Sequence, residues 1–317
     1  MPNKSVICTL FEGNYHYGVA ALVNSLQNKG FKGDIYAGYK GILSNWSRLA
    51  ISNYDINWKD AKTIKISEEI NIHFIPVDTK YHLTNYKPFF LLDVLKITTI
   101  SVDGIFYFDP DIVIKCEWLF FERWISHGVA LVHEIISNDM PFNHPIRKGW
   151  EELIFKTGGQ IYNKIDSYIN AGFFGLQIQN INFLYNFSKF IEFAVNENNS
   201  DLTKIDFTSR VDLFFAKDQD ALNIAAMCSD VKLSEMGPEA MDFLYGGFTM
   251  SHAVGSPKPW NKNFILSSFY GKSPTLADKE FWKNVQLPIK IYSSYYYKLK
   301  TISIKISTLI GRFYKKY

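Results

Sequence analysis

The chain has 317 residues, 47% of them hydrophobic and 21% charged, which excludes wholesale disorder and any need for disulfides to hold a core. Its three widely separated cysteines exclude a disulfide framework or a zinc ribbon and indicate a reducing compartment. The net charge of +3 comes from residues 288–317, which hold seven basic side chains and no acidic one; elsewhere 27 Lys and Arg face 31 Asp and Glu, which argues against nucleic-acid binding.

Strand and helix patterns alternate along most of the chain. Apolar, β-branched runs predict five strands, at residues 5–11, 34–39, 72–77, 104–108 and 173–178. Helical periodicity predicts five helices, at residues 17–29, 88–97, 144–155, 181–195 and 218–227. Pro88 would stand in the first turn of the second helix. This alternation predicts a mostly parallel sheet with helices on both faces, and a ligand beyond the carboxyl ends of the strands, where the strand order reverses.

One domain and one extension are predicted. Residues 1–275 are expected to form the α/β domain, and residues 276–317 a basic, aromatic C-terminal extension. No uncharged apolar stretch reaches the roughly 18 residues that a membrane-spanning helix needs. The N-terminal residues run directly into the first strand without the apolar segment of a signal peptide. We therefore expect a cytoplasmic protein.

The extension has the pattern of an amphipathic helix. Spacings of three and four residues place six apolar side chains on one side: Tyr295, Leu299, Ile302, Ile306, Leu309 and Phe313. Lys298, Lys305 and Arg312 recur every seven residues along the flank of this stripe. Such a helix is typical of attachment to an anionic membrane surface. The alternative is a helix packed on the domain, with its charges solvated.

An apolar strand ends abruptly at Asp109-Pro110-Asp111. On an extended backbone, residues i and i+2 point to the same side, so both carboxylates would converge at the ligand-binding edge of the sheet. Two anions held this close repel each other unless a cation joins them, which indicates a divalent metal. The alternative is an ordinary turn after the strand, because Asp and Pro both favour turns.

A second candidate segment runs from His252 to Trp260. His252 offers a nitrogen as a third metal ligand, and nitrogen mixed with carboxylate oxygen favours Mn²⁺ over Ca²⁺. Gly255 permits the backbone to approach a ligand closely, and Lys258 supplies a point charge suited to a phosphate. The alternative for His252 is a hydrogen-bonded structural residue.

Together these segments resemble the retaining glycosyltransferases of family eight, over about residues 5–262. Asp109-Pro110-Asp111 is similar to the family's Asp-X-Asp motif, and residues 252–260 match its His-X-X-Gly-X-X-Lys-Pro-Trp signature in every defined position. The resemblance implies a GT-A fold, with a Rossmann-like mixed sheet flanked by helices. It also implies that Asp109, Asp111 and His252 hold Mn²⁺, with Mg²⁺ as the alternative.

Further segments are similar to the family's substrate-binding positions. The donor-binding residues that the resemblance implies are Thr9, Glu12, Asn14, Tyr15, Lys87, Asn170, Gly255 and Lys258. Asp218-Gln219-Asp220 resembles a segment near the anomeric carbon, which makes Gln219, Asp220 and Asp218 the implied catalytic residues. The alternative for Asp218 is the N-cap of the helix that follows, with Asp220 in its first turn.

The function that the resemblance implies is metal-dependent transfer of a hexose with retention at the anomeric carbon. The donor would be a nucleotide-diphosphate sugar, usually UDP-linked in this family, and the acceptor a hydroxyl of a glycan or a lipid-linked molecule. Surface polysaccharide or lipopolysaccharide synthesis would be the setting. Two alternatives stay open: a glycosidase, which also uses paired carboxylates, and a non-catalytic module that binds sugars or nucleotides.

Overall fold

The structure, a computed structural model, describes residues 4–43, 45–98, 101–135, 140–198, 209 and 211–313. Its strands are β1 (Ser5–Glu12), β2 (Gly33–Lys40), β3 (Ile51–Ser52), β4 (Lys62–Ser67), β5 (Ile70–Pro76), β6 (Gly104–Phe108), β7 (Ile112–Ile114), β8 (Val129–His133), β9 (Ile169–Gln177), β10 (Leu233–Met236) and β11 (Met250–His252). Its α-helices are α1 (His16–Asn28), α2 (Leu83–Ile97), α3 (Trp118–Ile125), α4 (Pro145–Lys156), α5 (Asn182–Asn198), α6 (Lys217–Cys228), α7 (Phe264–Phe269), α8 (Leu276–Lys283) and α9 (Ser294–Ile310).

Nine of the strands form one mixed sheet in the order β10-β8-β9-β6-β1-β2-β5-β4-β3. The central strands β6, β1, β2 and β5 run parallel, whereas β9 is antiparallel to both of its neighbours. The chain passes from β1 outward through β2 to β5 and then returns to place β6 on the other side of β1. The strand order therefore reverses between β1 and β6, which is where a ligand is expected in such a sheet. The α/β sheet predicted from the sequence is confirmed.

The two faces of the sheet carry separate apolar layers, and β1 contributes to both. Val6, Cys8 and Leu10 pack with α2, α4, α5 and α6, whereas Ile7 and Phe11 pack with α1 and α3. The alternation follows from the two-residue period of a strand. Each fully buried Leu or Phe side chain in these layers contributes about 1.5–3 kcal/mol. Packing on both faces fixes the position of β1, which pairs with β6 in the sheet.

The start of α2 differs from the sequence prediction. The helix begins at Leu83, so Pro88 lies in its interior and not in its first turn. His82 caps the helix, because its Nδ1 accepts a hydrogen bond from the backbone N–H of Thr84 at 3.2 Å. Histidine is outside the usual set of N-cap residues, so the sequence pattern did not indicate that the helix begins before Pro88. Because proline has no backbone N–H, the helix lacks one backbone hydrogen bond at Pro88.

The C-terminal extension packs against the α/β domain. Phe281 and Trp282 of α8 and Ile304 of α9 share an apolar cluster with Ala21 of α1 and with Trp260. The segment between α8 and α9 is also tied to α1 through Asn24, whose side chain bonds the backbone of residues 284 and 289 at 2.7–2.9 Å. The helix expected in residues 295–313 is confirmed as α9 up to Ile310. Among the described residues, no helix is both long and apolar enough to cross a membrane.

Candidate active site

Asp109 and Asp111 lie in a turn directly after β6. The backbone N–H of Asp109 donates to the carbonyl of Gly172 at 2.7 Å, and the N–H of Ile112 donates back to the Asp109 carbonyl at 3.0 Å. The extended backbone predicted for this tripeptide is therefore wrong, because the hydrogen bond closes a turn. The carboxylates still converge, since the turn wraps both side chains toward the same histidine. The turn and the proposed metal site are compatible.

A short ribbon brings His252 to these carboxylates. β7 pairs antiparallel with β11 so that His252 lies opposite Ile112, and the N–H of Ala253 donates to the Asp111 carbonyl at 3.0 Å. The Nε2 atom of His252 is 3.3 Å from Asp111 Oδ1 and 3.7 Å from Asp109 Oδ2. One ligand atom from each of the three side chains lies within 4.8 Å of the others. Two carboxylates and an imidazole at this spacing fit a divalent metal with mixed oxygen and nitrogen preference.

Lys87 organises the floor of the site. Its Nζ donates to the Ala171 carbonyl at 2.9 Å and lies 3.0 Å from Asp218 Oδ2 and 3.1 Å from Asp109 Oδ1. The side chain is only 2% exposed. Burial by itself lowers the pKa of Lys87, but Asp109 and Asp218 outweigh burial and raise it. Lys87 is therefore a charged group whose three N–H bonds are directed at protein oxygens.

Lys258 pairs with the other metal-ligand candidate. Its Nζ donates to Asp111 Oδ2 and to the Ala253 carbonyl, the latter at 2.8 Å, and lies 5.7 Å from the centre of the Tyr15 ring. Burial by itself raises the pKa of Asp111, but His252 and Lys258 overcome it and hold this pKa well below its usual range. Asp111 is therefore an anion in contact with a lysine and a histidine.

These groups line a cavity of about 350 Å³ at the point where the strand order reverses. Its walls include the end of β1, the start of α2, the turn after β6, the start of β9 and the loop after β11. Of the residues predicted from the sequence, eleven line this cavity: Glu12, Tyr15, Lys87, Asp109, Asp111, Asn170, Asp218, Gln219, His252, Gly255 and Lys258. At Gly255 the backbone has φ +77°, which favours glycine.

The first turn of α6 presents Asp218 and Gln219 to the cavity but not Asp220. Asp220 is 3% exposed and accepts hydrogen bonds from the Tyr168 hydroxyl and from the N–H of Ala216, both at 2.6 Å. Burial raises its pKa to about 8. Asp218 is not the N-cap, a position held by Ala216. The helical spacing explains the split, because at 3.6 residues per turn Asp218 and Asp220 point to nearly opposite sides of the helix.

Gly172 leaves room for the imidazole of His252, and Asn170 holds the backbone of Gly172. The Asn170 side chain donates to Glu134 Oε2 at 2.6 Å and accepts from the N–H of Gly172 at 2.8 Å. A Cβ atom on Gly172 would lie 2.5 Å from Cε1 of His252 and 2.8 Å from Asn170 Oδ1. Real Cβ contacts are not this short, so only glycine fits at this position. In the sequence, this requirement for glycine is visible as the Asn-X-Gly pattern of residues 170–172.

Two predicted donor-binding residues do not reach the cavity. Thr9 is fully buried in β1, and its Oγ1 has no hydrogen-bond partner among the described residues. Asn14 is exposed in the short turn Gly13–Tyr15. Thr9 alternates with Leu10 along the strand, so the side chain that reaches the cavity is its neighbour.

Sequence reasoning missed two residues that face the cavity. The Tyr107 hydroxyl donates to Asp109 Oδ1 at 2.9 Å from within β6. His82, which caps α2, has Nε2 3.9 Å from Glu12 Oε1. Tyr107 had a signal, since it stands two residues before Asp109 and so on the same side of an extended strand. The position of His82 depends on the fold alone.

Comparisons with known proteins bear on the fold. No protein-family model matches the chain, and no curated protein sequence matches it significantly. Solved structures that resemble it include the bifunctional glycosyltransferase WbbM, with 16% identity, a TM-score of 0.53, and coverage of 92% of this chain and 51% of that one. The glycosyltransferase GlyE of Streptococcus pneumoniae TIGR4 has 12% identity, a TM-score of 0.53, and coverage of 97% and 64%.

The galactosyltransferase LgtC, solved with donor and acceptor sugar analogues, has 13% identity and a TM-score of 0.51. The likeness covers 93% of this chain and 99% of LgtC. By contrast, the chain spans about half of WbbM and under two thirds of GlyE. At these identities the likeness concerns the backbone architecture. The chain therefore has the GT-A type of fold, with its polar cavity at the switch point of the sheet.

Proposed function

We propose that the chain is a metal-dependent, retaining glycosyltransferase of family eight. It moves a hexose from a nucleotide-diphosphate sugar, UDP-linked, to a hydroxyl of a glycan or lipid-linked acceptor. One observation carries the proposal: Asp109, Asp111 and His252 converge beside Lys258 at the switch point of the sheet. The sequence signature of family eight and the three glycosyltransferases of similar fold support it.

Asp109, Asp111 and His252 would hold the metal, and the chemistry of this donor set favours Mn²⁺, with Mg²⁺ as the alternative. When bound, the metal supplies Lewis-acid stabilisation of the negative charge that develops as the diphosphate leaves. Tyr107 and Lys87 both contact Asp109 Oδ1, so they fix this carboxylate in place. A fixed ligand set also requires a fixed imidazole, and Gly172, whose N–H is held by Asn170, leaves room for His252 in one position.

Lys258 and Gly255 bind the diphosphate of the donor. The ammonium of Lys258 lies at the cavity wall, and the backbone at Gly255 has no side chain to keep a phosphate away. An ammonium and backbone N–H groups aimed at a leaving phosphate stabilise the charge that develops in the transition state. Glu12 at the end of β1 and Tyr15 in the turn that follows it line the cavity and would contact the nucleoside.

Gln219 and Asp218 face the sugar from the first turn of α6. Gln219 Oε1 accepts a hydrogen bond from the N–H of Ala171 at 3.2 Å, which fixes the amide at the cavity wall and leaves the second lone pair of this oxygen for the sugar. These oxygens stabilise the positive charge of an oxocarbenium-like sugar. Asp220, bound to Tyr168, fixes the helical turn that carries them. A front-face transfer, in which the leaving phosphate accepts the proton of the acceptor, needs no protein nucleophile.

The test is a screen of nucleotide sugars with the full chain and Mn²⁺, measuring slow release of the nucleoside diphosphate. We expect release from one UDP-hexose, and proton NMR of a transfer product is expected to show the anomeric configuration of the donor. Inverted product would overturn retention. Release of sugar from oligosaccharides without any nucleotide would indicate a glycosidase, and binding without turnover would indicate a non-catalytic module.

We also propose that α9 attaches the protein to an anionic membrane surface, where a lipid-linked acceptor would be confined. Its buried side, with Ile304 and Ser307, packs on the domain, so the stripe predicted from the sequence faces outward. The six stripe residues have exposed fractions from 43% at Ile306 to 79% at Phe313. Exposed apolar patches of this kind mark interaction surfaces. The flanking lysines and Arg312 are exposed as well, and each basic group near such a surface contributes about 1 kcal/mol.

A further inference from the structure

We propose that Lys258 competes with the metal for Asp111, so that the metal and the donor diphosphate bind cooperatively. The inference rests on the proposed function and adds a coupling between its two ligands. It starts from a contact: both oxygens of Asp111 are engaged, Oδ2 by the ammonium of Lys258 and Oδ1 by His252 at 3.3 Å. A metal ion that coordinates Asp111 is therefore repelled by the ammonium of Lys258, which is already paired with this carboxylate.

The competition is strong because the pair is buried. The Asp111 side chain is 5% exposed and that of Lys258 is 16% exposed, so water screens the repulsion between an ammonium and a nearby metal only weakly. Lys258 has a second anchor in the Ala253 carbonyl at 2.8 Å, which holds the ammonium near the site when its bond to Asp111 lengthens. Its position beside the cavity then allows it to bond a phosphate.

The charges of the cavity floor set the direction of the coupling. Three carboxylates, of Asp109, Asp111 and Asp218, face the two ammonium groups of Lys87 and Lys258. Counted over these five side chains, the net charge is about −1, and a divalent metal alone turns it positive. A diphosphate restores a negative balance and gives Lys258 a new partner. Lys87 does not take part, because its three N–H bonds are directed at Ala171, Asp109 and Asp218.

The experiment measures Mn²⁺ binding to the full chain, without catalysis, by calorimetry or by the relaxation of water protons. It compares the wild type with Lys258→Met, which keeps the aliphatic stem and removes the charge, and with Lys258→Arg, which keeps the charge. Lys272→Met serves as the matched control, because it removes the same charge from an exposed side chain on the following segment. Thermal unfolding and far-UV circular dichroism establish that each variant is folded.

We expect Lys258→Met to bind Mn²⁺ alone about tenfold more tightly than the wild type, and Lys258→Arg and Lys272→Met to bind it as the wild type does. With UDP present, Mn²⁺ affinity rises further in the wild type than in Lys258→Met, because the released ammonium adds to the coupling. Equal or weaker Mn²⁺ binding by Lys258→Met would overturn the inference while leaving the proposed function intact. Absence of Mn²⁺ binding by the wild type, with or without UDP, would overturn both.

Discussion

Gly172 of β9 faces the imidazole of His252 of β11, and the space between them admits no side chain. A Cβ atom at Gly172 would lie 2.5 Å from Cε1 and 2.9 Å from Nδ1 of the imidazole. The backbone carbonyl of Gly172 also accepts a hydrogen bond from the N–H of Asp109 at 2.7 Å. One glycine thus positions two of the three proposed metal ligands, which are far apart in the sequence.

We expect Gly172→Ala to weaken Mn²⁺ binding by about tenfold or more, because the added methyl group must displace the His252 ring. Calorimetric titration of the full chain measures the loss. The check on the cause is a double-mutant cycle with His252→Ala, in which the alanine at residue 172 should have little further effect. Full additivity of the two substitutions would show that Gly172 acts on the site by some route other than His252.

The buried Asp220 predicts a specific dependence of stability on pH. Its pKa of about 8 in the folded chain lies above the value of an exposed carboxyl, so the folded state holds a proton that the unfolded state has lost. The free energy of unfolding should therefore fall as pH rises from about 4 to 8, by at most about 1.4 kcal/mol per pH unit.

Asp220→Asn keeps the shape of the side chain and removes this titration. Urea unfolding at several pH values is expected to give a shallower decline for the variant than for the wild type. Asp230→Asn, at an exposed carboxyl, should leave the slope unchanged. Parallel curves for the wild type and Asp220→Asn would contradict a protonated Asp220 in the folded state.

Gln219→Ala should lower the turnover of donor hydrolysis by about a hundredfold while changing the KM for the donor little, because its carbonyl acts mainly in the transition state. Gln179→Ala, at an exposed glutamine outside the cavity, is the matched control and should behave as the wild type. A rise in KM with unchanged turnover would place Gln219 in ground-state binding instead.

The exposed side of α9 is tested with liposomes and the full chain. Leu299→Glu with Ile306→Glu replaces two stripe residues, at 46% and 43% exposure, and adds negative charge beside the basic flank. We expect salt-sensitive sedimentation of the wild type with vesicles rich in phosphatidylglycerol, and loss of most of it in the variant. Ile42→Glu changes a 90% exposed residue elsewhere and should sediment normally. Equal sedimentation of all three proteins would refute the attachment.

The sequence was informative wherever one pattern ran over a whole element. β1 was predictable because an apolar run covers most of its eight residues, and α1 because an apolar period of 3.6 residues extends over its 13 residues. The ribbon of β7 and β11 was not, because three residues in each strand show no period. The signature around His252 therefore located a metal ligand, whereas the reason it meets Asp111 lies in the pairing of these two strands.

The roles of neighbouring residues also needed the structure. Asp218 and Asp220 are both aspartates and lie two residues apart, yet Asp218 faces the cavity whereas Asp220 bonds Tyr168. That difference depends on how α6 is rotated against β9, which the contact of Asn223 with both Ile169 and Gln219 helps to set. No residue spacing in the sequence predicts this rotation, because it is determined by packing between residues that are far apart in the sequence.

In the proposed function, Asp109 and Asp111 hold a divalent metal that donor cleavage requires. The most direct test is the rate of UDP release from the donor found in the screen, with Mn²⁺, for the wild type and for Asp109→Asn and Asp111→Asn. We expect losses of at least about a hundredfold in each variant and in the wild type with excess EDTA, with thermal unfolding that still shows a folded chain. Full turnover in EDTA, or by the double variant, would contradict it.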